Sequence, residues 1–339
     1  MKPVQALNRL RQIGLAFATT QVFMTACKFG LFDLLKNGSA TADELAERLG
    51  IHPEGCRRFL VTLKSLGLLD RTEDRFSNSE LGALCTSDSP VPLGGLTLMD
   101  PFYHMWEHFP DALKTYGPVW EQSLGASSQE IFAELYGNPV ALRRFCDYMN
   151  SYSVAIGQEV AERFDFTPFR CVLDVAGGTG QLTQQIGKRF PHLRGIIMDL
   201  PVVLAVAQEE IAANGLSDRF RTETADLFTG PYPKGADIAT LSWILHDWND
   251  EKCRAILGHI YDALPSGGVL LISESVMNPD YSGTLWSEIY SLFMLVVCES
   301  SARERTEAEH RELLNAVGFK DISLIRLEGP RDLIVAKKP

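Results

Sequence analysis

The 339 residues are 45% hydrophobic and 22% charged, which suits a folded chain of about two domains and excludes a disordered one. A formal charge of −11 argues against nucleic acid as a partner, because phosphate neutralisation needs a basic surface. Seven scattered cysteines with no C-x-x-C pair fit buried thiols in a reducing, cytoplasmic compartment better than a disulfide frame or a zinc site, and no metal is expected.

Residues 13–27 form an uncharged run after Lys2, Arg9 and Arg11, so a signal peptide has to be weighed. Thr19, Thr20 and Gln21 interrupt the run and no cleavage site follows, which favours a packed helix. No stretch reaches the ~20 apolar residues that span a bilayer, so no membrane partner is expected. Residues 1–36 read as two helical stretches. Their apolar positions (4–35) occupy more than one face, so a second copy is expected to cover them. Thr41-Ala-Asp-Glu44 is a capping box opening a helix that stops at Gly50, and Pro53 starts a second helix ending at Gly67. LLDRTEDRFSNS then reads as a two-stranded wing. Helix, turn, helix, wing is an arrangement that in many proteins reads DNA. Here Arg57, Arg58 and Lys64 sit among seven acids between Asp43 and Asp74, so a scaffold or dimerisation role is the better expectation.

Residues 88–101, rich in proline and glycine, read as a loop. Phe102, Tyr103, His104, Trp106, His108, Phe109, Tyr116 and Trp120 follow, either as helix packing or as the wall of a pocket for a flat ring. Residues 130–164 read as helical. Short apolar runs then alternate with amphipathic helices at 171–175, 195–199, 220–224, 236–242 and 268–274. Runs at 322–328 and 331–337 flank Gly329-Pro330. This pattern predicts an α/β, doubly wound, Rossmann-like sheet closed by an antiparallel hairpin. The expected domains are 1–100, 101–165 and 166–339.

The first run ends at Asp174 and breaks into Gly177-Gly178-Thr179-Gly180, and the second ends on Asp199, 19 residues beyond Gly180. Glycines let a backbone approach a ligand, and an acid at the next strand end accepts ribose hydroxyls. The dinucleotide fingerprint fails, because its third glycine is Thr183. Asp174 would repel a pyrophosphate but suits a cationic ligand without phosphate, which points to S-adenosylmethionine (SAM), with S-adenosylhomocysteine as product. The third strand end offers Asp226 as acceptor for an adenine amino group, with Leu227 and Phe228 against the ring. The fourth offers His246, an imidazole placed to deprotonate a hydroxyl acceptor. Glu274 or Glu304 can accept a bond from that ring and fix its tautomer.

QVFMTACKFGLFDLL, DVAGGTG, MDLP, ADLF, WILHDWNDEKC, IYSLFMLVV and RERTEAEH…AVGF resemble, over nearly the whole chain, the SAM-dependent O-methyltransferases of the caffeic-acid and acetylserotonin type. The resemblance implies an N-terminal helical, winged-helix dimerisation domain before a class I methyltransferase domain. It also implies a domain-swapped homodimer, an aromatic small-molecule acceptor and His246 as the proton acceptor between Glu274 and Glu304. Gly177, Asp199, Leu200, Asp226, Leu227, Met149 and Ser153 would hold SAM, and Phe102, Trp106, Asp247, Tyr290, Phe293 and Met294 would surround the acceptor. The chain departs from the family pattern at Ala176, at Ser242 (lysine in plant members) and at Phe293 (asparagine in acetylserotonin enzymes). Two other readings stay open, a carbon or nitrogen methyltransferase able to dispense with His246 and a winged-helix DNA-binding regulator.

Overall fold

The computed structural model describes residues 1–89 and 100–339, in two compact units, Met1–Met99 and Asp100–Pro339. Most of the loop expected at 88–101 lies outside the described residues.

In the first unit the two expected helical stretches are three helices, Pro3–Gly14, Ala16–Lys28 and Leu31–Leu34. Gly30 at φ +63° sets off the third. Strand β1 (Ser39–Thr41) leads into helix Ala42–Leu49 through a reciprocal cap: the Thr41 amide donates to Glu44 Oε2 at 2.8 Å and the Glu44 amide to Thr41 Oγ1 at 3.2 Å. Helix Pro53–Ser65 is followed by the wing, β2 (Leu69–Thr72) and β3 (Arg75–Asn78), and β1 joins it in the antiparallel order β1-β3-β2. Leu31, Phe32, Leu45, Leu60, Leu63, Leu69 and Phe76 make the core. Arg57 is paired with Asp43 and Glu54, and Arg58 with Glu54. These two cations of the second helix are therefore already neutralised. The first helix buries nothing, and Val4, Leu7, Leu10 and Ile13 are exposed along it.

The second unit opens with short helices and continues into Ser128–Gly137 and Pro139–Arg163. The single helical stretch expected at 130–164 breaks at Asn138, whose side chain accepts from the amides of Val140 and Ala141 and restarts the helix. Strands β4 (Cys171–Val175), β5 (Arg194–Asp199), β6 (Phe220–Thr224), β7 (Ile238–Ser242) and β8 (Val269–Glu274) are parallel. The pair β9 (Val276–Met277) and β10 (Arg305–Thr306) stands apart, and β11 (Lys320–Ile325) and β12 (Asp332–Lys337) close the sheet in the order β11-β12-β8-β7-β4-β5-β6. The strand expected at 322–328 is a correction. A bulge after Lys320, with Asp321 at φ 49°, lets it start earlier, and Arg326 leaves the ladder to bond Asp332 and the Val276 carbonyl.

The strands are apolar on both faces because helices cover both sides, with Leu173, Ile196, Ile197, Leu241 and Ile272 buried. Helix Gln181–Arg189 approaches β5 closely. The Phe220 ring occupies the space where side chains at Gly187 and Gly195 would begin, 2.4 and 2.2 Å from their ideal Cβ positions. Sequence order runs outward in opposite directions from β4, to β5-β6 and to β7-β8. That reversal opens a crevice at the carboxyl ends of β4 and β7, where ligands bind in such sheets.

Candidate active site

A cavity of about 710 Å³ lies at this crevice, and its lining among the described residues comes from the Asp100–Pro339 unit. Of the residues expected around SAM, Met149, Ser153, Asp174, Gly177, Gly178, Asp199 and Ser242 line it. Of those expected around the acceptor, Phe102, His246, Asp247, Tyr290, Phe293 and Met294 line it. Gly180, Leu200, Asp226, Leu227, Phe228, Trp106, Glu274 and Glu304 lie outside this lining.

Their surroundings show what several of the outlying residues do. Gly180 sits at φ +76° and packs on β5, where a Cβ would meet Ile197 Cδ1 at 2.6 Å. Asp226 accepts from the amides of Phe228 and Thr229, which shapes its own turn and lowers its pKa. Phe228 supports the cavity residue Trp248 edge-on at 4.9 Å. Trp106 stands behind Phe293, nearly parallel at 6.3 Å.

The glycine turn presents the carboxylates. Asp199 accepts from Gly178 N at 2.8 Å and Leu200 N at 2.7 Å, which fixes its oxygens at the cavity wall, while burial raises its pKa against those two bonds. Asp174 is buried and accepts from Thr183 Oγ1 at 2.5 Å and Thr240 Oγ1 at 2.9 Å. Burial pushes it up to about 6 although both hydroxyls oppose the shift. Thr183, which breaks the dinucleotide pattern, is thus a hydrogen-bond donor to buried Asp174. Ala176 adopts φ 50°, where an L-residue loses about 1–2 kcal/mol, so the family's frequent glycine has a conformational basis here.

His246 lies in a short 3₁₀ turn after β7, and its ring is fixed from several sides. Its Nδ1 is 2.9 Å from Glu304 Oε1, and its Nε2 is 3.5 Å from Asp247 Oδ1. Glu304 is therefore the acid that meets the imidazole. Glu274 accepts instead from the backbone amides of Ile244, Leu245 and His246 at 3.1, 2.6 and 3.4 Å. Arg305 holds the same loop through its carbonyls, donating to Leu245 O and Trp248 O at 2.6 Å each and to Asp250. Trp243 and Tyr290 lie nearly parallel to the His246 ring.

A family model described as the O-methyltransferase domain matches residues 106–320, and one described as the O-methyltransferase dimerisation domain matches residues 12–88. The chain belongs to the O-methyltransferase family. This O-methyltransferase is 33% identical to acetylserotonin O-methyltransferase of Gallus gallus, over 96% of each chain. It is 34% identical to 3-hydroxy-5-methyl-1-naphthoate 3-O-methyltransferase of Streptomyces sahachiroi, over 92% of this chain and 89% of that one. Its structure matches that of human N-acetylserotonin methyltransferase in complex with SAM with a TM-score of 0.91 and 28% identity, over 100% and 99% of the two chains. It is a SAM-dependent enzyme. The O-methyltransferase also uses residues that sequence reasoning passed over. Trp243 and Arg305 sit inside the motifs quoted above, but nothing local marks the positive φ of 55° at Trp243 or the buried clamp made by Arg305.

Proposed function

We propose that the enzyme methylates a hydroxyl group on an aromatic small molecule, with His246 as the base. The observation that carries this reading is the His246–Glu304 contact at 2.9 Å. A carboxylate accepting from Nδ1–H fixes the tautomer and leaves Nε2, on a cavity-lining ring, as the basic nitrogen. SAM supplies an electrophilic methyl carbon on a sulfonium sulfur. Asp199 holds the ribose hydroxyls and Asp174 favours the positive end. Phe102, Phe293 and Met294 set the acceptor ring. As the new carbon–oxygen bond forms and the carbon–sulfur bond breaks, the hydroxyl proton passes to Nε2, and Glu304 and Asp247 stabilise the resulting imidazolium. The relatives named above act on acetylserotonin and on a hydroxynaphthoate, and their oxygen chemistry supports the same class of acceptor here.

The exposed apolar helix Pro3–Gly14 supports a homodimer in which each copy covers the other, and by family analogy the partner completes the acceptor end of the pocket. We place the enzyme in the cytoplasm on its seven scattered cysteines, which include no C-x-x-C pair. Among the described residues no helix is long and apolar enough to cross a membrane.

His246→Ala tests the base. SAM affinity should stay within about twofold, while turnover on a phenolic acceptor falls by about 10²–10⁴. Raising the pH toward the acceptor's own pKa should recover part of the loss. A mutant that keeps more than half the parent's rate at neutral pH, with chemistry shown to be rate-limiting, would exclude His246 as the base.

A further inference from the structure

Behind one wall of the cavity lies a buried cation that the methyl-transfer reading does not use. Arg331 is 1% exposed. It donates through Nη1 to Ser242 Oγ at 2.7 Å, and among the described residues its Nε and Nη2 have no partner. Among the described residues it forms no ion pair within 4.0 Å. Its guanidinium carbon sits 3.8 Å from the centre of the Trp243 ring. Trp243 stacks on Tyr290 at 4.8 Å, Tyr290 on Trp286 at 4.8 Å, and Tyr152 leans on Trp243 at 4.6 Å. The indole N–H groups of Trp243 and Trp286 are also buried and unpaired. Tyr148, Tyr152 and Tyr290 bring three phenols into the same cluster, and Arg331 acts electrostatically on each.

The cluster is therefore rich in donors and carries a positive charge with no counter-charge in contact. A buried charge is costly unless it is paired, and unpaired buried N–H groups are rare in folded proteins. Burial pulls the Arg331 pKa down to about 10, which leaves it charged at neutral pH. Four residues of the cluster, Tyr148, Ser242, Trp243 and Tyr290, line the cavity. Ser242 Oγ accepts from the guanidinium, so its own proton is available to a ligand. A hydroxyl polarised in this way is a strengthened donor.

We propose that this wall recognises a carboxylate, with Ser242 and Tyr148 as the contacting donors and Arg331 as the buried counter-charge. The inference rests on the acceptor reading above. The carboxylate belongs either to an aromatic hydroxy-acid acceptor or to the methionyl end of SAM. A bare aromatic cage would serve a neutral ring equally well. A buried cation that hydrogen-bonds, among the described residues, to a cavity-lining hydroxyl alone serves an anion.

Two paired comparisons separate the sources. For the acceptor, kcat/KM is measured on hydroxynaphthoates and hydroxybenzoates and on their carboxamides, which keep shape and lose charge. For the donor, calorimetry compares S-adenosylhomocysteine with its decarboxylated analogue. The parent should favour the acid at least tenfold in one comparison. Arg331→Met should reduce that gap to within about twofold, Arg331→Lys should restore part of it, and Ser242→Ala should narrow it. Trp286→Phe, which keeps the ring and removes one unpaired N–H, should narrow it less. Circular dichroism checks folding, and the parent's own preference needs no variant. Gaps under twofold in both parent comparisons, or a gap unchanged in folded Arg331→Met, would overturn the inference. Should no hydroxyl compound turn over, the acceptor class fails instead, and calorimetric binding of the same acids and amides still decides whether a carboxylate is read.

Discussion

His246 stands among acids, and that decides its charge. Burial works against the imidazolium, but Glu304, Asp247 and Glu274 outweigh it and lift the pKa to about 9. Burial in turn raises Glu274 and Asp247, with the His246 charge opposing both shifts. In the donor-free enzyme the ring is therefore mostly protonated at neutral pH, and the basic form grows about tenfold per pH unit until the pKa is reached. The free-enzyme profile of kcat/KM should rise through an apparent pKa near 9 rather than near the ordinary 6.5. Glu304→Gln removes the largest of the raising charges, so the ascending limb should move toward lower pH while the maximal rate falls. A limb that stays in place in that variant would assign the titration to another group.

The loop from Ile244 to Asp250 is an element with almost no regular structure, yet it is tightly held. Glu274 takes its amides and Arg305 its carbonyls, the latter placed by the two-residue pairing of β10 with β9. Arg305→Met should destabilise the protein by roughly 1.5–3 kcal/mol, the scale of lost hydrogen bonds to a charged group, since the Asp250 partner is partly exposed and adds little. Denaturant unfolding measures this, and turnover should fall more than SAM affinity. A change below about 0.5 kcal/mol would mean that the loop is held by other contacts. Elements of this kind mark the boundary of what the sequence reveals. Strands β4 and β6 match the expected 171–175 and 220–224, because each is a short run bounded by turn residues. Two-residue β9 and β10 carry no periodicity, and the early start of β11 depends on a bulge. Glu274 and Glu304 could not be told apart along the chain, since their different tasks arise from where β8 ends and β10 begins in space. Arg331 opens the run expected at 331–337, and nothing in that run marks it as a buried cation.

For the molecule as a whole, the unburied helix Pro3–Gly14 is the strongest sign of a second copy. Changing Leu7 and Leu10, both exposed, to aspartate should give a monomer by light scattering at micromolar concentration. Because the residues expected around SAM that line the cavity belong to the Asp100–Pro339 unit, SAM affinity should be retained, while acceptor turnover falls if the partner completes that end. A fully active monomer would refute the shared pocket. The Phe220 ring that fills the space beside Gly187 and Gly195 bears on how this lineage can diverge. An alanine at either glycine collides with the ring, and a smaller residue at 220 alone leaves a void, so each change is harmful by itself and tolerable only with the other. The three positions are then inherited as a block. A homologue carrying a side chain at 187 or 195 should have lost the aromatic ring at 220, and frequent exceptions among aligned relatives would show that the sheet can yield there by other means.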